Sequence, residues 1–468
     1  MKFLINCIVF VFVTCLFFSS CKKDSFITSG NASVTITQDS IKFDTVFTTA
    51  GSVTQSFKII NENNQKLLLS RIKLMGGAAS SFNININGTQ TTGQDNIEIA
   101  ANDSIYVFVS VFVDQTTANL PFIISDSILI SYNGNTRFVQ LQAYGQNAHF
   151  LTNTVISSNT TWQNDLPYVI LGSLQVDTSI NLSIEAGCEI YSHADAPFLV
   201  DGTLTVAGTK QNEVKFSGDR LDEYYNNLPA SWPGIYFRGS SIDNDLRFAI
   251  VKNANQAIVV DGPSLNSNPK LRLHQCIIDN AFESGVFCYN SSVTADNTLI
   301  SNCGNNLIIQ LGGNYTFTNC TVAAYSNTYI LHTNPVLQVS DAAIQGTATV
   351  TDALNASFIN CIFWGDNGSV DDEVIIDKEG TSPFNVNIKN CLYKAINDPS
   401  NASLTSVIKN IDPSFDSIDV SNKYYDFRVT KNEFAPGINS GTIVAFPKDL
   451  DDNVRANGIT DVGSYEKQ

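Results

Sequence analysis

The sequence has few charged residues, few tryptophans and methionines, and few of the residues that favour helices. Charged residues make up 15% of the 468 positions, and Trp and Met occur three times and twice. Asn, Ser, Thr, Val and Ile are abundant instead, which is typical of strands and turns. A hydrophobic content of 43% and a mean hydropathy of 0.00 exclude a disordered chain. We therefore expect an all-β protein.

Basic residues are also scarce. The 27 Lys and Arg residues are outnumbered by 44 Asp and Glu, so the formal net charge is -17. Such a surface repels a phosphate backbone, which excludes a nucleic-acid-binding protein.

The first twenty residues are typical of a secretory signal. Lys2 precedes the apolar run FLINCIVFVFVTCLFF of residues 3–18, which is short for a membrane-spanning helix. The run ends in Phe18-Ser19-Ser20-Cys21, which resembles the lipobox of bacterial lipoproteins with Phe18 in place of the usual Leu. The resemblance implies a signal peptide over 1–20, acylation of Cys21, and a lipid anchor in the outer membrane, on either its periplasmic or its surface face. The alternative is an ordinary secretory signal with an incidental cysteine.

A polar residue followed by cysteine recurs along the second half of the chain. The five pairs are Gln275-Cys276, Asn302-Cys303, Asn319-Cys320, Asn360-Cys361 and Asn390-Cys391. Apolar or small residues lie five and three positions before each cysteine, so the inward-facing parity of a strand shifts by one at each pair. A bend of one or two residues explains the shift, and Asn tolerates the left-handed conformation that such a bend requires.

This pattern resembles the asparagine ladder and inward stacks of right-handed parallel β-helices, which we predict for residues 148–440. Leu182 and Leu204 lie 22 residues apart in the opening motifs, a suitable length for one coil of a solenoid. The period predicts ten to twelve coils. The steps between the five cysteines are 27, 17, 41 and 30 residues, and the 41-residue step is predicted to contain one unmarked coil.

We interpret the five cysteines as one stack of buried, reduced thiols that occupy the same position of the repeat. A disulfide between stacked neighbours and a metal site are alternatives. The sequence contains no C-x-x-C pair to favour the metal, and no metal ligands are assigned.

Residues 32–147, which follow a polar tether over 21–31, are predicted to form a β-sandwich. Alternating strands such as Ser104–Val113 are separated by turn sequences such as Asn133-Gly134-Asn135. The segments Ser56–Asn61 and Val139–Gly145 resemble parts of immunoglobulin-like modules of the abnormal-spindle/hydin type. The resemblance implies a spacer or a protein-binding unit.

Residues 441–468 are predicted to cap the last coil. Asp449–Arg455 and Asp461–Glu466 resemble the terminal signature of secreted bacterial β-helix proteins, although Asp452 stands where the family has Gly. No cofactor is predicted, while Ca²⁺ binding by the acidic cluster is an open alternative.

One loop is the candidate ligand site because it combines acids, an arginine and aromatic residues. Aromatic rings beside polar groups suit carbohydrate. The alternative is a structural role, with the Trp-Pro-Gly segment packed on the β-helix and the arginine paired with a nearby acid. The candidate residues are Asp219, Arg220, Asp222, Glu223, Tyr224, Tyr225 and Trp232.

No series of carboxylates lines up on successive coils, and the four histidines are scattered along the chain. We therefore predict a non-catalytic cell-envelope lipoprotein, a binding, adhesive or structural scaffold whose partner is a polysaccharide or an envelope protein. The alternative is a β-helix polysaccharide lyase or glycoside hydrolase that uses the 219–232 loop.

Overall fold

The computed structural model describes residues 25–48, 51–114, 122–222, 225–366, 368–456 and 459–468. The signal peptide and Cys21 lie outside these residues. The chain divides into two compact units, and the division falls between Asn147 and Ala148. No helix in the described ranges is long and apolar enough to cross a membrane.

The N-terminal unit contains two sheets. Its elements are β1 (Phe26–Ile27), β2 (Val34–Ile36), β3 (Ser40–Phe47), β4 (Gln55–Asn61), β5 (Lys66–Leu74), a 3₁₀ helix (Gly77–Ala79), β6 (Phe82–Ile86), β7 (Thr89–Thr91), β8 (Gly93–Ile99), β9 (Ser104–Val111), β10 (Phe122–Tyr132) and β11 (Asn135–Gln146).

One sheet has the order β1-β5-β10-β11-β3, with β8 beside β5, and the other has the order β2-β4-β9-β6-β7. Alternate residues of both sheets are buried in a single core. Examples are Phe57 and Val107 in one sheet and Leu69 and Ile130 in the other. This arrangement confirms the predicted β-sandwich.

The second unit contains the remaining strands. They are β12 (His149–Ile156), β13 (Thr160–Trp162), β14 (Tyr168–Val176), β15 (Asn181–Glu185), β16 (Glu189–Ser192), β17 (Phe198–Val200), β18 (Thr203–Ala207), β19 (Val214–Gly218), β20 (Ile235–Phe237), β21 (Asn244–Arg247), β22 (Ala249–Lys252), β23 (Gln256–Asp261), β24 (Leu271–His274), β25 (Ile277–Asp279), β26 (Ser284–Asp296), β27 (Leu299–Ser301), β28 (Leu307–Thr318), β29 (Thr321–Tyr325), β30 (Leu337–Ser340), β31 (Ala342–Gln345), β32 (Ala348–Thr351), β33 (Leu354–Ile359), β34 (Ile362–Asp366), β35 (Val374–Asp377), β36 (Phe384–Lys389), β37 (Leu392–Tyr393), β38 (Ser403–Thr405), β39 (Ile408–Lys409), β40 (Ser417–Asp419) and β41 (Tyr424–Asp426).

As predicted, strands β12 to β30 and β33 to β39 form a parallel β-helix. It has three walls. The first wall contains β13, β15, β18, β21, β24, the second halves of β26 and β28, β33, β36 and β38. The second wall contains the first halves of β12 and β14, then β16, β19, β22, β25, β27, β29, β34, β37 and β39.

The third wall contains the second halves of β12 and β14, then β17, β20, β23, the first halves of β26 and β28, β30 and β35. All of these pairings are parallel, and the inward-facing residues of the three walls share one core. The ten strands of the first wall, counted within the described residues, agree with the predicted ten to twelve coils.

Four asparagines and one glutamine at the first corner, between the first and second walls, adopt the predicted left-handed bend. Gln275, Asn297, Asn319, Asn360 and Asn390 have φ angles between 47° and 55°. The Asn360 amide donates to Asn319 Oδ1 at 2.9 Å, so the predicted asparagine ladder is present between these two coils. The residue that follows each of the five corner residues points into the core.

The prediction that all five cysteines occupy one position is wrong for Cys303. It follows β27 of the second wall and therefore lies at the second corner, after Asn302 (φ 52°). Thr298 takes the position expected for Cys303, and its Oγ1 accepts a hydrogen bond from the Cys276 backbone N–H at 3.5 Å. Cys276, Thr298 and Cys320 are evenly spaced, 22 residues apart.

The 41-residue step from Cys320 to Cys361 is one enlarged coil and not two, which corrects a second prediction. Thr321 pairs directly with Ile362, so β29 and β34 are adjacent in the second wall. The extra length lies in a loop over 326–336 and in the antiparallel hairpin β31–β32.

Each of the seven cysteines from Cys188 onward is free and buried. The Cys361 backbone N–H lies 3.3 Å from the Cys391 sulfur, which confirms stacking of these neighbours. Burial raises the pKa of the Cys188 thiol to about 11 and that of Cys276 to about 12. The thiols therefore behave as small apolar side chains.

The described residues of the C-terminal segment 410–468, which we call the strap, lie along the outside of the second wall. The strap contacts the first corner at Asn390 through Ser440 and at Asn360 through Thr442. It reaches back as far as Lys210, whose ammonium lies 3.0 Å from Asp451. The described contacts of residues 441–468 therefore follow the side of the β-helix, whereas the sequence predicted a cap over its last coil.

An outward apolar strip on the second wall explains this position. Leu299 of β27, Ile362 and Trp364 of β34, and Leu392 of β37 point outward and are buried beneath the strap. Strap side chains that cover them include Phe427, Leu450 and Val462. Covering this strip removes its apolar area from water, whereas a cap over the last coil would leave the strip exposed.

Candidate functional site: a groove on the third wall

The predicted ligand loop mostly satisfies its own polar groups. Asp219 lies 2.7 Å from His193 Nδ1. The Arg220 guanidinium donates to Asp222 at 3.3 Å and stacks on the Tyr225 ring at 3.6 Å. Glu223 and Tyr224 lie outside the described residues.

Trp232 anchors the loop to the β-helix. Its side chain is 1% exposed, and its indole N–H donates to the Lys252 carbonyl at 2.8 Å. The ring therefore cannot stack on a ligand. The loop is also held by corner asparagines, because Asn253 donates to Asn226 O and Asn280 donates to Asn227 O. These contacts favour the structural interpretation of the loop.

The loop nevertheless borders a groove, because it connects β19 of the second wall to β20 of the third. The loop over 326–336 makes the same connection, from β29 to β30. On the other side, residues 262–270 and the hairpin β31–β32 connect the third wall to the first. The outer face of the third wall is thus flanked by insertions at both corners.

A column of mostly apolar side chains runs along the floor of this groove. One outward position of each coil is occupied, in register, by Leu199, Tyr236, Val259, Phe287, Ile308, Gln338 and Ile375. All seven are partly exposed, whereas their chain neighbours, such as Val286 and Cys288, are buried. Because neighbouring strands are about 4.8 Å apart, the column extends over roughly 29 Å.

Side-chain amides lie beside the column. A cavity of about 300 Å³ in the groove is lined by Gln256, Asn305, Gln310 and Gln338 as well as Phe287. Gln338 donates to Asn305 at 2.9 Å. Such amides offer both donors and acceptors to a ligand.

The charged groups of the groove are acidic. Glu283 accepts hydrogen bonds from the Asn255 and Gln256 amides at 3.1 Å each, and Asp377 is exposed at the edge. Burial, and then the charge of Glu283, raise the pKa of Tyr236. Among the described residues that line the cavity around Phe287 there is no Lys, Arg or His.

All four histidines pair with carboxylates, a feature that their scattered positions in the sequence did not indicate. His149 pairs with Asp165, His193 with Asp219, His274 with Asp296, and His332 with the fully buried Glu373 at 2.8 Å. Asp245 also lies 3.8 Å from His274. These pairs tie neighbouring coils and loops together.

The described part of the chain contains no group of three or more His, Cys, Asp or Glu residues arranged to hold a metal ion. The acidic residues of the strap bind protein groups instead. Asp449 accepts from the backbone N–H of Asp451, Asn453 and Glu466. Asp451 pairs with Arg428 and Lys210.

No protein-family model and no curated relative matches the chain. Two similar solved structures are a family 123 glycoside hydrolase from Clostridium perfringens and the CooA pilin subunit from enterotoxigenic Escherichia coli. The hydrolase is 7% identical with a TM-score of 0.19, over 25% of this chain and 30% of the hydrolase. The pilin is 10% identical with a TM-score of 0.18, over 24% of this chain and 97% of the pilin. Likenesses this distant carry no argument about fold or function.

Proposed function

We propose that this protein is a lipid-anchored, non-catalytic scaffold of the outer membrane that binds a carbohydrate in the groove of the third wall. The observation that supports the binding role is the column of partly exposed apolar and aromatic side chains between amide-bearing edges. Sugar rings present apolar faces and hydroxyl edges. The column suits the faces, and the amides suit the edges.

The anchor follows from the lipobox resemblance. Acylated Cys21 would hold the chain at the membrane, since several acyl chains anchor stably where one does not. The tether and the N-terminal sandwich, which we propose to be an immunoglobulin-like stalk, would then carry the β-helix away from the lipid surface. Replacing Cys21 by Ser is expected to abolish incorporation of labelled fatty acid and to release the protein into the soluble fraction.

The length of the groove favours a polymer over a small molecule. The floor repeats once per coil, so a chain that lies along the axis of the β-helix repeats its contacts on each coil. Individually weak contacts then add up within one bound chain.

The charges of the groove favour an uncharged glycan. Glu283 and Asp377 would repel uronic acids, and no Lys, Arg or His occurs among the described residues that line the cavity around Phe287. In the neighbouring loop, Asp219 and Asp222 are already paired with His193 and Arg220. A hydrolase would need two carboxylates free to face a sugar across the groove, as a general acid and as a base or nucleophile. Of the two that line the cavity, Glu283 and Asp377, Glu283 is engaged by the Asn255 and Gln256 amides.

Affinity gel electrophoresis of the mature protein tests the proposal. Neutral polysaccharides such as xylan, galactomannan and dextran are expected to retard it, and polygalacturonate is not. Phe287→Ala is expected to weaken retardation about tenfold because it removes a stacking face. Phe138→Ala is the matched control, since Phe138 is a 47% exposed phenylalanine of the N-terminal sandwich.

Equal retardation of Phe287→Ala and wild type would contradict the groove as the binding site. The same polysaccharides should be assayed for new reducing ends and for unsaturated products. Release of either by wild-type protein would overturn the non-catalytic role in favour of a hydrolase or a lyase.

A further inference from the structure

The first wall carries a second groove, which differs from the first in lacking an apolar floor. It has a volume of about 620 Å³ and lies between residues 263–269 and the segment that follows the hairpin β31–β32. Its lining is made almost entirely of Asn, Ser, Thr, Pro and Gly residues.

Its floor is an ordered array of polar side chains. Ser292, Asn314 and Asn355 face outward on three successive coils, in register, and Thr294 and Thr316 form a parallel column. Asn314 and Thr316 are exposed between buried inward residues. Within the described ranges, the side chains of Thr294, Asn314 and Thr316 have no hydrogen-bond partner in the protein.

The wall of the groove is held rigidly. Asn266 and Asn268 each donate to one oxygen of Asp243 at 2.8 Å. At the end of the segment, the buried Lys270 ammonium donates to the carbonyls of Arg238, Gly239 and Asp261. The polar floor and its wall are therefore preorganised, which reduces the entropy lost on binding.

The composition of the lining narrows the class of ligand. No Lys, Arg or His occurs among the described lining residues, so an anion has no partner. Asp352, the one carboxylate of the described lining, is engaged by the Asn290 amide at 3.1 Å and by the Ala353 N–H at 2.7 Å. Tyr315, the one aromatic residue of that lining, is 2% exposed and cannot stack. The lining therefore suits a ligand that is rich in hydroxyl groups, which are uncharged and both donate and accept hydrogen bonds.

We propose that this groove is a second binding site, for an uncharged, hydroxyl-rich chain such as a neutral glycan, recognised by its hydroxyl edges and not by its ring faces. The repeat of the floor matches a ligand that lies along the axis of the β-helix. The site is separate from the groove of the third wall, because residues 262–270 and the hairpin rise at the corner between them. The ligand class rests on the proposed carbohydrate function, but the residues are different.

The test is the double variant Asn314→Leu/Thr316→Val, which removes two unpartnered polar groups at nearly constant volume. Affinity gels with xylan, galactomannan and dextran are expected to show about tenfold weaker retention of at least one, as for the loss of two hydrogen bonds. Thr205→Val is the matched control, since Thr205 faces outward at the same position of the same wall, four coils before Thr316. The single variant Thr316→Val serves as a milder alternative if the double variant aggregates.

Combination with Phe287→Ala distinguishes the two sites. If both grooves bind, the combined variant should lose more retention than either variant alone. Loss with Phe287→Ala but not with the first-wall variants would overturn the second site and leave the proposed function intact. Loss with the first-wall variants alone would contradict the third-wall groove and support this one. Equal behaviour of wild type and the first-wall variants, including no retention of either, would overturn the second site.

Discussion

The N-terminal sandwich and the β-helix use asparagine at positive φ for different purposes. In the sandwich, Asn87 and Asn102 have φ angles of 47° and 56° and are exposed at turns. In the β-helix, Asn319 and Asn360 have similar φ angles of 51° and 55° but are completely buried. A hairpin needs only the conformation, whereas at this corner the Asn360 amide also bonds the Asn319 side chain and the strap backbone at Thr442.

The two cores differ as well. The sandwich core consists mainly of Ile, Val, Leu and Phe, and the sequence from residue 25 to 147 contains neither Cys nor Trp. The β-helix core contains seven buried cysteines, and all three tryptophans of the chain lie at Trp162, Trp232 and Trp364. Tryptophan fluorescence therefore follows unfolding of the β-helix alone, and circular dichroism follows both units.

The largest difference is expected at alkaline pH. Burial raises the pKa of six β-helix thiols above the ordinary 9.0: Cys188, Cys276, Cys288, Cys303, Cys320 and Cys361. Above pH 9 the unfolded chain loses these protons while the folded chain keeps them up to about pH 11 or beyond. The unfolded state then binds fewer protons, so the unfolding free energy falls as pH rises, by on the order of 1 kcal/mol per thiol at pH 10.

One group opposes this trend. Burial lowers the pKa of Lys270 to about 8 from 10.5, so between these values the unfolded state binds more protons and stability rises. A single lysine offsets only part of the effect of six thiols. Urea midpoints followed by fluorescence should therefore decrease from pH 8 to pH 10. A midpoint that stays constant over this range would contradict burial of the thiols.

The next largest effect is expected for Arg455→Ala in the strap. Arg455 is 5% exposed, pairs with Glu466 at 3.0 Å and donates twice to Asn297 Oδ1. Its loss leaves a buried carboxylate without its partner, at a cost of about 3–5 kcal/mol. The fluorescence transition should shift to lower urea, and the transition of the sandwich should not.

Arg71→Ala is the control for that comparison. Arg71 pairs with Asp95 at 2.6 Å in the sandwich, but both side chains are about half exposed. An exposed pair contributes about 0–1 kcal/mol. Equal effects of Arg455→Ala and Arg71→Ala would mean that the strap does not stabilise the β-helix.

The smallest of the three effects separates the two uses of asparagine. Asn360→Ala loses hydrogen bonds to Asn319 and Thr442 and places alanine at φ 55°, so we expect a loss of about 2–4 kcal/mol. Asn102→Ala has the same conformational strain but only one exposed side-chain hydrogen bond, to Asn64, and should lose about 1–2 kcal/mol.

Glycine variants divide this difference into its two causes. Asn102→Gly should restore most of the stability that Asn102→Ala loses, because glycine adopts positive φ without strain. Asn360→Gly should remain destabilised, because the buried amide is still missing. Full recovery by Asn360→Gly would show that the corner, like the turn, needs only the conformation.

The sequence was sufficient to predict the parallel β-helix because its corners require a rare conformation that few residues adopt. Gln275, Asn319, Asn360 and Asn390 are marked by this requirement, and the cysteine after each is buried as expected. The sequence was not sufficient to show which of the corners each Asn-Cys pair occupies. Cys303 carries the same Asn-Cys pair because the second corner makes the same demand on the backbone as the first.

The grooves were harder to predict than the fold. Phe287 is recognisable as outward-facing, since it lies between the inward residues Val286 and Cys288. Its alignment with Tyr236 and Ile308 depends on coil lengths, which loops of variable size conceal. The 219–232 loop has the composition of a ligand site, but Arg220 bonds Asp222 of the same loop and Trp232 bonds the Lys252 carbonyl of the β-helix.

The amino-acid sequence by itself determined the all-β class, the sandwich, the solenoid and the bend at its corners, because alternation and positive φ are local properties of the chain. Only the tertiary structure decided which coils are neighbours, where the strap lies, and which outward side chains form the two grooves. These depend on register between segments more than twenty residues apart, and strand pairing through the backbone leaves no residue-specific mark of that register.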